Sequence, residues 1–107
     1  MNQGKYLYAV EKFGVAVRAL VGAGDVRLRL YEAYESILPL QPRDVPEHLR
    51  SEFIEVKEAL SWMPPEQEDQ GTLSATLRAM SDEEADRLAK RFYEIYDQVN
   101  AASYGGD

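Results

Sequence analysis

The only histidine of the chain, His48, follows Arg43 by five residues in Arg43-Asp44-Val45-Pro46-Glu47-His48. An imidazole moves protons near neutral pH and a guanidinium holds anions, so this pair is the first candidate for chemistry. The plainer alternative is a surface histidine near a helix start, solvated or bonded to Glu52. Arg18, Arg27 and Arg29 form a second candidate, because they flank the turn Gly22-Ala23-Gly24-Asp25. Cations at the start of a helix oppose its dipole, so local helix stability does not account for Arg27 and Arg29. They could gather around a phosphate or a partner's carboxylate, or pair with Asp25, Glu32 or the acids of the second half. Gly22-x-Gly24 matches half of a dinucleotide fingerprint, yet it follows a helix and Arg27 stands where the third glycine belongs. It reads as a helix–helix turn.

Other chemistries are excluded by residue type. No cysteine is present, which removes disulfides, thiolate metal sites and cysteine nucleophiles. A di-iron bundle needs Glu-x-x-His, and the residue three before His48 is Val45. Asp82, Glu83 and Glu84 are consecutive, so they point different ways around a helix and cannot share an ion. Neither a metal nor a cofactor is expected.

Whatever acts must be positioned by a small fold. A chain of 107 residues, 45% hydrophobic and 29% charged, buries roughly two thirds of its unfolded surface and supports one core. The formal net charge of −7 argues against ordinary phosphate-backbone binding. Residues 1–50 hold seven Lys/Arg against six Asp/Glu, and residues 51–107 hold five against thirteen. The acid concentrates at Glu66, Glu68 and Asp69, and again at Asp82, Glu83, Glu84 and Asp86. That is either a solvated face or a surface for a basic partner. Glu11 and Lys12 interrupt the first apolar stretch and Arg18 breaks it again, so neither a signal peptide nor a membrane span is expected. A cytoplasmic location is the default.

Hydrophobic spacing predicts helices throughout. The first, about Lys5 to Val21, carries Leu7, Val10, Phe13 or Gly14, Val17, Leu20 and Val21 at three- and four-residue steps. Tyr6, Tyr8, Val15, Ala16 and Ala19 lie on its other faces. A helix apolar nearly all round is central in its fold or covered by a second subunit, which makes Tyr6, Val10, Phe13 and Val17 candidate interface residues. Asp25 caps a second helix, Val26 to Leu38, with Leu30, Ala33, Tyr34, Ile37 and Leu38 inward. Asp44 imitates a capping box for a third, with Leu49, Phe53, Val56, Leu60 and Met63 as its stripe, ended by Pro64-Pro65. An acidic loop over about 64–71 leads to a short helix near Thr72–Met80. Ser81 and Glu84 form a capping box for the last helix, which runs to about Val99 before a frayed tail at 101–107. The expected fold is all-α: a compact single-domain bundle of four longer helices plus one short one. Tyr31/Tyr34 and Tyr93/Tyr96 suit the rim of such a core or an interface, and Trp62 is read as core.

The Arg43-x4-His48 spacing resembles the arginine-x4–6-histidine signature of HEPN-type ribonucleases, small all-helical domains that cut RNA as dimers. The resemblance implies acid/base catalysis by His48 and stabilisation of phosphorane charge by Arg43. It covers six residues, and the cap at Asp44 with Pro46 places Arg43 in a preceding loop, whereas the family's pair shares a helix face. A second resemblance rests on Asp44-Val45-Pro46 with Leu49-Arg50 and Phe53, and on Gly71-Thr72-Leu73, Thr76-Leu77 and Met80-Ser81-Asp82-Glu83-Glu84-Ala85. These stretches are similar to small uncharacterised all-helical bacterial proteins, which implies a bacterial source and one helical domain, and carries no activity. The leading expectation is a non-enzymatic acidic protein acting through protein–protein interaction, self-associating as a homodimer or binding a basic partner. The alternative is the HEPN-like dimeric ribonuclease using Arg43 and His48.

Overall fold

The computed structural model describes residues 6–61 and 71–105, with the side chains of 104 and 105 left aside. Five α-helices follow in order: α1 Leu7–Leu20, α2 Val26–Ile37, α3 Arg50–Ala59, α4 Gly71–Ala79 and α5 Asp82–Gly105. Two 3-10 turns, Pro42–Asp44 and Glu47–Leu49, lie between α2 and α3. No strand occurs among the described residues. Residues 62–70 lie outside the described residues, and with them Trp62, Met63, Glu66, Glu68, Asp69 and the expected acidic loop of about 64–71 except Gly71, which opens α4.

α1 and α2 form a tight hairpin. Ala9 and Ala16 are fully buried, and their small side chains let the backbones of neighbouring helices come close to α1. The Ser36 hydroxyl, inside α2, donates to the Lys12 carbonyl at 3.1 Å and tacks the pair together. Between them Gly24 adopts φ +105°, a left-handed conformation that disfavours a side chain, and the chain reverses into Asp25. Asp25 Oδ1 then accepts from the Arg27 backbone N–H at 2.7 Å, as expected of an N-cap.

α5 runs 24 residues along α1, α2 and α3 and closes the core. Phe13 sits at its centre. Its ring centroid is 6.1 Å from those of both Phe53 and Phe92, at interplanar angles of 68° and 58°, so one aromatic joins α1, α3 and α5.

Several expectations change. The buried stripe of α1 is Ala9, Phe13, Ala16 and Leu20, rotated from the one read off the larger side chains. Val10 and Val17 are half-buried, while Leu7 and Val21 face outward. Leu38 is exposed rather than inward, because α2 ends at Ile37 and Leu40 takes the buried position instead. Asp44 is no N-cap of α3. It ends the first 3-10 turn, where its Oδ2 accepts from the Gln41 backbone N–H at 2.8 Å. Pro46 disfavours helix at the preceding residue, and Val45 is accordingly extended at φ −115°, ψ 156°. Finally, α5 continues through Gly105, since Ser103 is buried one turn beyond Val99. No frayed segment begins at 101.

The capping box at the start of α5 forms as read. The Ser81 backbone N–H donates to Glu84 Oε1 at 3.0 Å, and the Glu84 N–H donates to Ser81 Oγ at 3.1 Å. Chiefly through that bond from the Ser81 N–H, the Glu84 carboxyl titrates below its ordinary range. A depressed carboxylate stabilises the fold above its ordinary titration range, and that stabilisation is lost as pH falls through the folded-state value. Ser81→Ala should cost about 1 kcal/mol in urea unfolding at neutral pH. The pH-dependent part belongs to the Glu84 carboxylate, so the stability gap between Glu84→Ala and native protein should shrink on acidification, and a gap constant with pH would refute this account.

Candidate functional site

Arg27 and Arg29 are spent within the chain. Arg29, inside α2, reaches back to the end of α1. Its Nη1 donates to the Leu20 carbonyl, and its Nε donates to the Gly24 carbonyl at 3.0 Å. Arg27 reaches the α4–α5 corner instead. Nε donates to the Leu77 carbonyl at 3.2 Å, Nη2 to the Met80 carbonyl, and Nη1 meets Asp82 Oδ1 at 2.6 Å. The hydrogen bond to the Asp82 carboxylate raises the Arg27 pKa above its ordinary value. These cations oppose the dipole of their own helix, yet each serves the carbonyl-rich end of a neighbouring one. Arg18 is exposed on α1 and joins neither. The three arginines therefore do not assemble an anion site.

The acids at the start of α5 have local work as well. Asp82 holds Arg27 through Oδ1, and Glu84 closes the capping box, although both side chains remain exposed. Glu83 and Asp86 are exposed. Among the described residues no group of three or more histidine and acidic side chains converges on a point. No described helix is long and apolar enough to cross a membrane.

Arg43 and His48 are both exposed, on separate 3-10 turns with extended Val45 between them. Among the described residues neither makes an ion pair or hydrogen bond with the other or with Glu52. Comparison of the chain with family models, curated proteins and solved structures found no match. The site must be judged on its own geometry.

That geometry favours α1. Eight large hydrophobic side chains stand exposed among the described residues, and four belong to α1 or its C-cap: Leu7, Tyr8, Val15 and Val21. Val21 is 77% exposed. Beside it, Val17, Leu20 and Val21 of the α1 end and Ala89 and Tyr93 of α5 line an apolar groove of about 430 Å³, edged by Lys90 and Glu94. Tyr93 itself is exposed, whereas Tyr34 is buried and Tyr31 and Tyr96 pack half-buried against the core.

Of the residues read as interface candidates, Val17 lines this groove, and Tyr6 and Val10 are half-buried against the core. Phe13 is fully buried inside the chain and is unavailable to a partner. Sequence reasoning missed Leu7, Glu11 and Val15 as surface residues, while Tyr93 stands exposed as a rim or interface position should. A second cleft of about 320 Å³, lined by Ala59, Met80, Glu84, Arg87, Leu88 and Arg91, lies between α3, α4 and α5. Its Arg91 is engaged with Glu55 at 3.0 Å, tying α5 to α3.

Proposed function

We propose that this protein acts without catalysis, by binding another protein through the outer side of α1 and the groove between α1 and α5. The observation that carries the reading is the share of exposed apolar surface held by one helix, with Val21 and Tyr93 at the groove's rim. Single exposed apolar residues are ordinary, but several gathered on one element beside an apolar groove mark a surface that gains by being covered. Tyrosine at the rim of such a groove suits binding, since it offers a large rigid contact with a polar end.

Photo-crosslinking tests this directly. A photoreactive amino acid at Tyr93 should give protein adducts, whereas the same group at Ile54, exposed on α3, should not. Equal labelling from both positions would overturn the reading. So would RNA cleavage by the purified protein that disappears in His48→Ala, which would install the nuclease alternative in its place.

A further inference from the structure

The outer face of α1 has a chemical symmetry. At one hundred degrees per residue, the side opposite the buried Ala9, Phe13, Ala16 and Leu20 runs through Leu7, Glu11, Val15 and Arg18, with Val21 beside its end. All five are exposed. In order along the helix they are apolar, acidic, apolar, basic, apolar. Read in reverse, the pattern is the same with the two charges exchanged. Among the described residues, neither Glu11 nor Arg18 has an ion-pair partner within the chain.

A two-fold axis converts that symmetry into complementarity. Set two copies of α1 antiparallel with the axis between Gly14 and Val15. Leu7 then falls opposite Val21 of the second copy, and Glu11 opposite Arg18. Val15 packs on its own counterpart. A two-fold contact uses the same patch on both chains, so each favourable pair occurs twice. Parallel pairing would instead place Glu11 on Glu11 and Arg18 on Arg18, a like-charge arrangement that is disfavoured. We infer that the occupant of this face is a second copy of the chain, bound antiparallel with reciprocal Glu11–Arg18 ion pairs. The inference rests on the proposed protein-binding role of α1 and adds the partner and its register. A face of four helical turns is smaller than a standard interface of about 800 Å² per partner, so the dimer is weak and concentration-dependent.

Charge exchange tests the register. Sedimentation of the native chain should show its mass rising with concentration from 12.1 kDa toward twice that value. Glu11→Arg alone places two positive charges together twice over, and Arg18→Glu does the same with negative charges. Each should weaken dimerisation about tenfold or more while leaving the helical circular dichroism unchanged. The double variant should recover the native dimer. Mixing the two single variants should also produce a dimer, because every swapped arginine then meets a swapped glutamate. If neither the double variant nor the mixture recovers, while Val15→Asp still abolishes association, the register is wrong although α1 remains a binding face. A native chain that stays monomeric at all concentrations, or whose Tyr93 adducts contain only other proteins, overturns self-pairing and leaves the broader reading to its own test.

Discussion

Phe13→Ala is expected to be the most damaging substitution of those considered, costing about 3–5 kcal/mol. The ring is fully buried and contacts Phe53 and Phe92 at once, so removing it opens a void where α1, α3 and α5 meet. Two edge or tilted aromatic contacts disappear together with the buried area, and the surrounding helices are held too firmly to collapse into the gap. A domain of this size has a stability on the order of 5–15 kcal/mol, so the variant should be largely unfolded at temperatures the native chain tolerates. Thermal or urea unfolding followed by circular dichroism measures this. A loss below about 1 kcal/mol would mean that Phe13 is not central to the core.

The second large effect lies outside any helix. Leu40→Ala should cost about 2–5 kcal/mol, whereas Leu38→Ala, two residues earlier, should stay within about 0.5 kcal/mol of native. Leu38 is half-exposed, while Leu40 is fully buried with Val45 and Leu49 and anchors the irregular path from α2 to α3. The Leu40 carbonyl is also held, accepting from Lys57 Nζ at 3.1 Å. That ammonium sits 5.3 Å from the Phe53 ring centre, and burial lowers its pKa. Urea unfolding of the two variants side by side checks the contrast. Equal losses would show that the connection is not pinned at Leu40.

The all-helical class and most helix starts were legible because they depend on short-range chemistry. Asp25 and the Ser81/Glu84 pair act on backbone groups two or three residues away, so the local sequence contains both partners. The rotation of α1 was not legible. With apolar side chains on every side, the pattern offers no preferred face, and the choice fell to which neighbours could approach most closely. Ala9 and Ala16 decided it by being small, a property that a count of hydrophobic bulk ignores. Asp44 misled for a different reason. A carboxylate before Pro46 fits a helix start, but the extended Val45 separates it from α3 and leaves it to the earlier turn. Arg27 was ambiguous because the hydrogen-bond partners of its guanidinium lie 50 or more residues away. As for the candidate face, Glu11, Val15 and Arg18 have regular spacing in the sequence. Only the buried stripe on the opposite side reveals that they share the solvent-facing surface.

Among the described residues four basic side chains, Arg27, Arg29, Arg50 and Lys57, donate to carbonyl oxygens of their own chain. Arg50, for example, bonds the Pro42 and Val45 carbonyls at 2.9 and 3.1 Å. Each is held close to the backbone, while acids such as Glu11, Glu83 and Asp86 stand exposed. With a formal net charge of −7, the field around the protein is negative on balance. At long range that net charge repels anionic polymers and attracts cationic surfaces. The exposed Arg18 is one local positive point against that background, and its charge can guide the orientation in which another copy arrives.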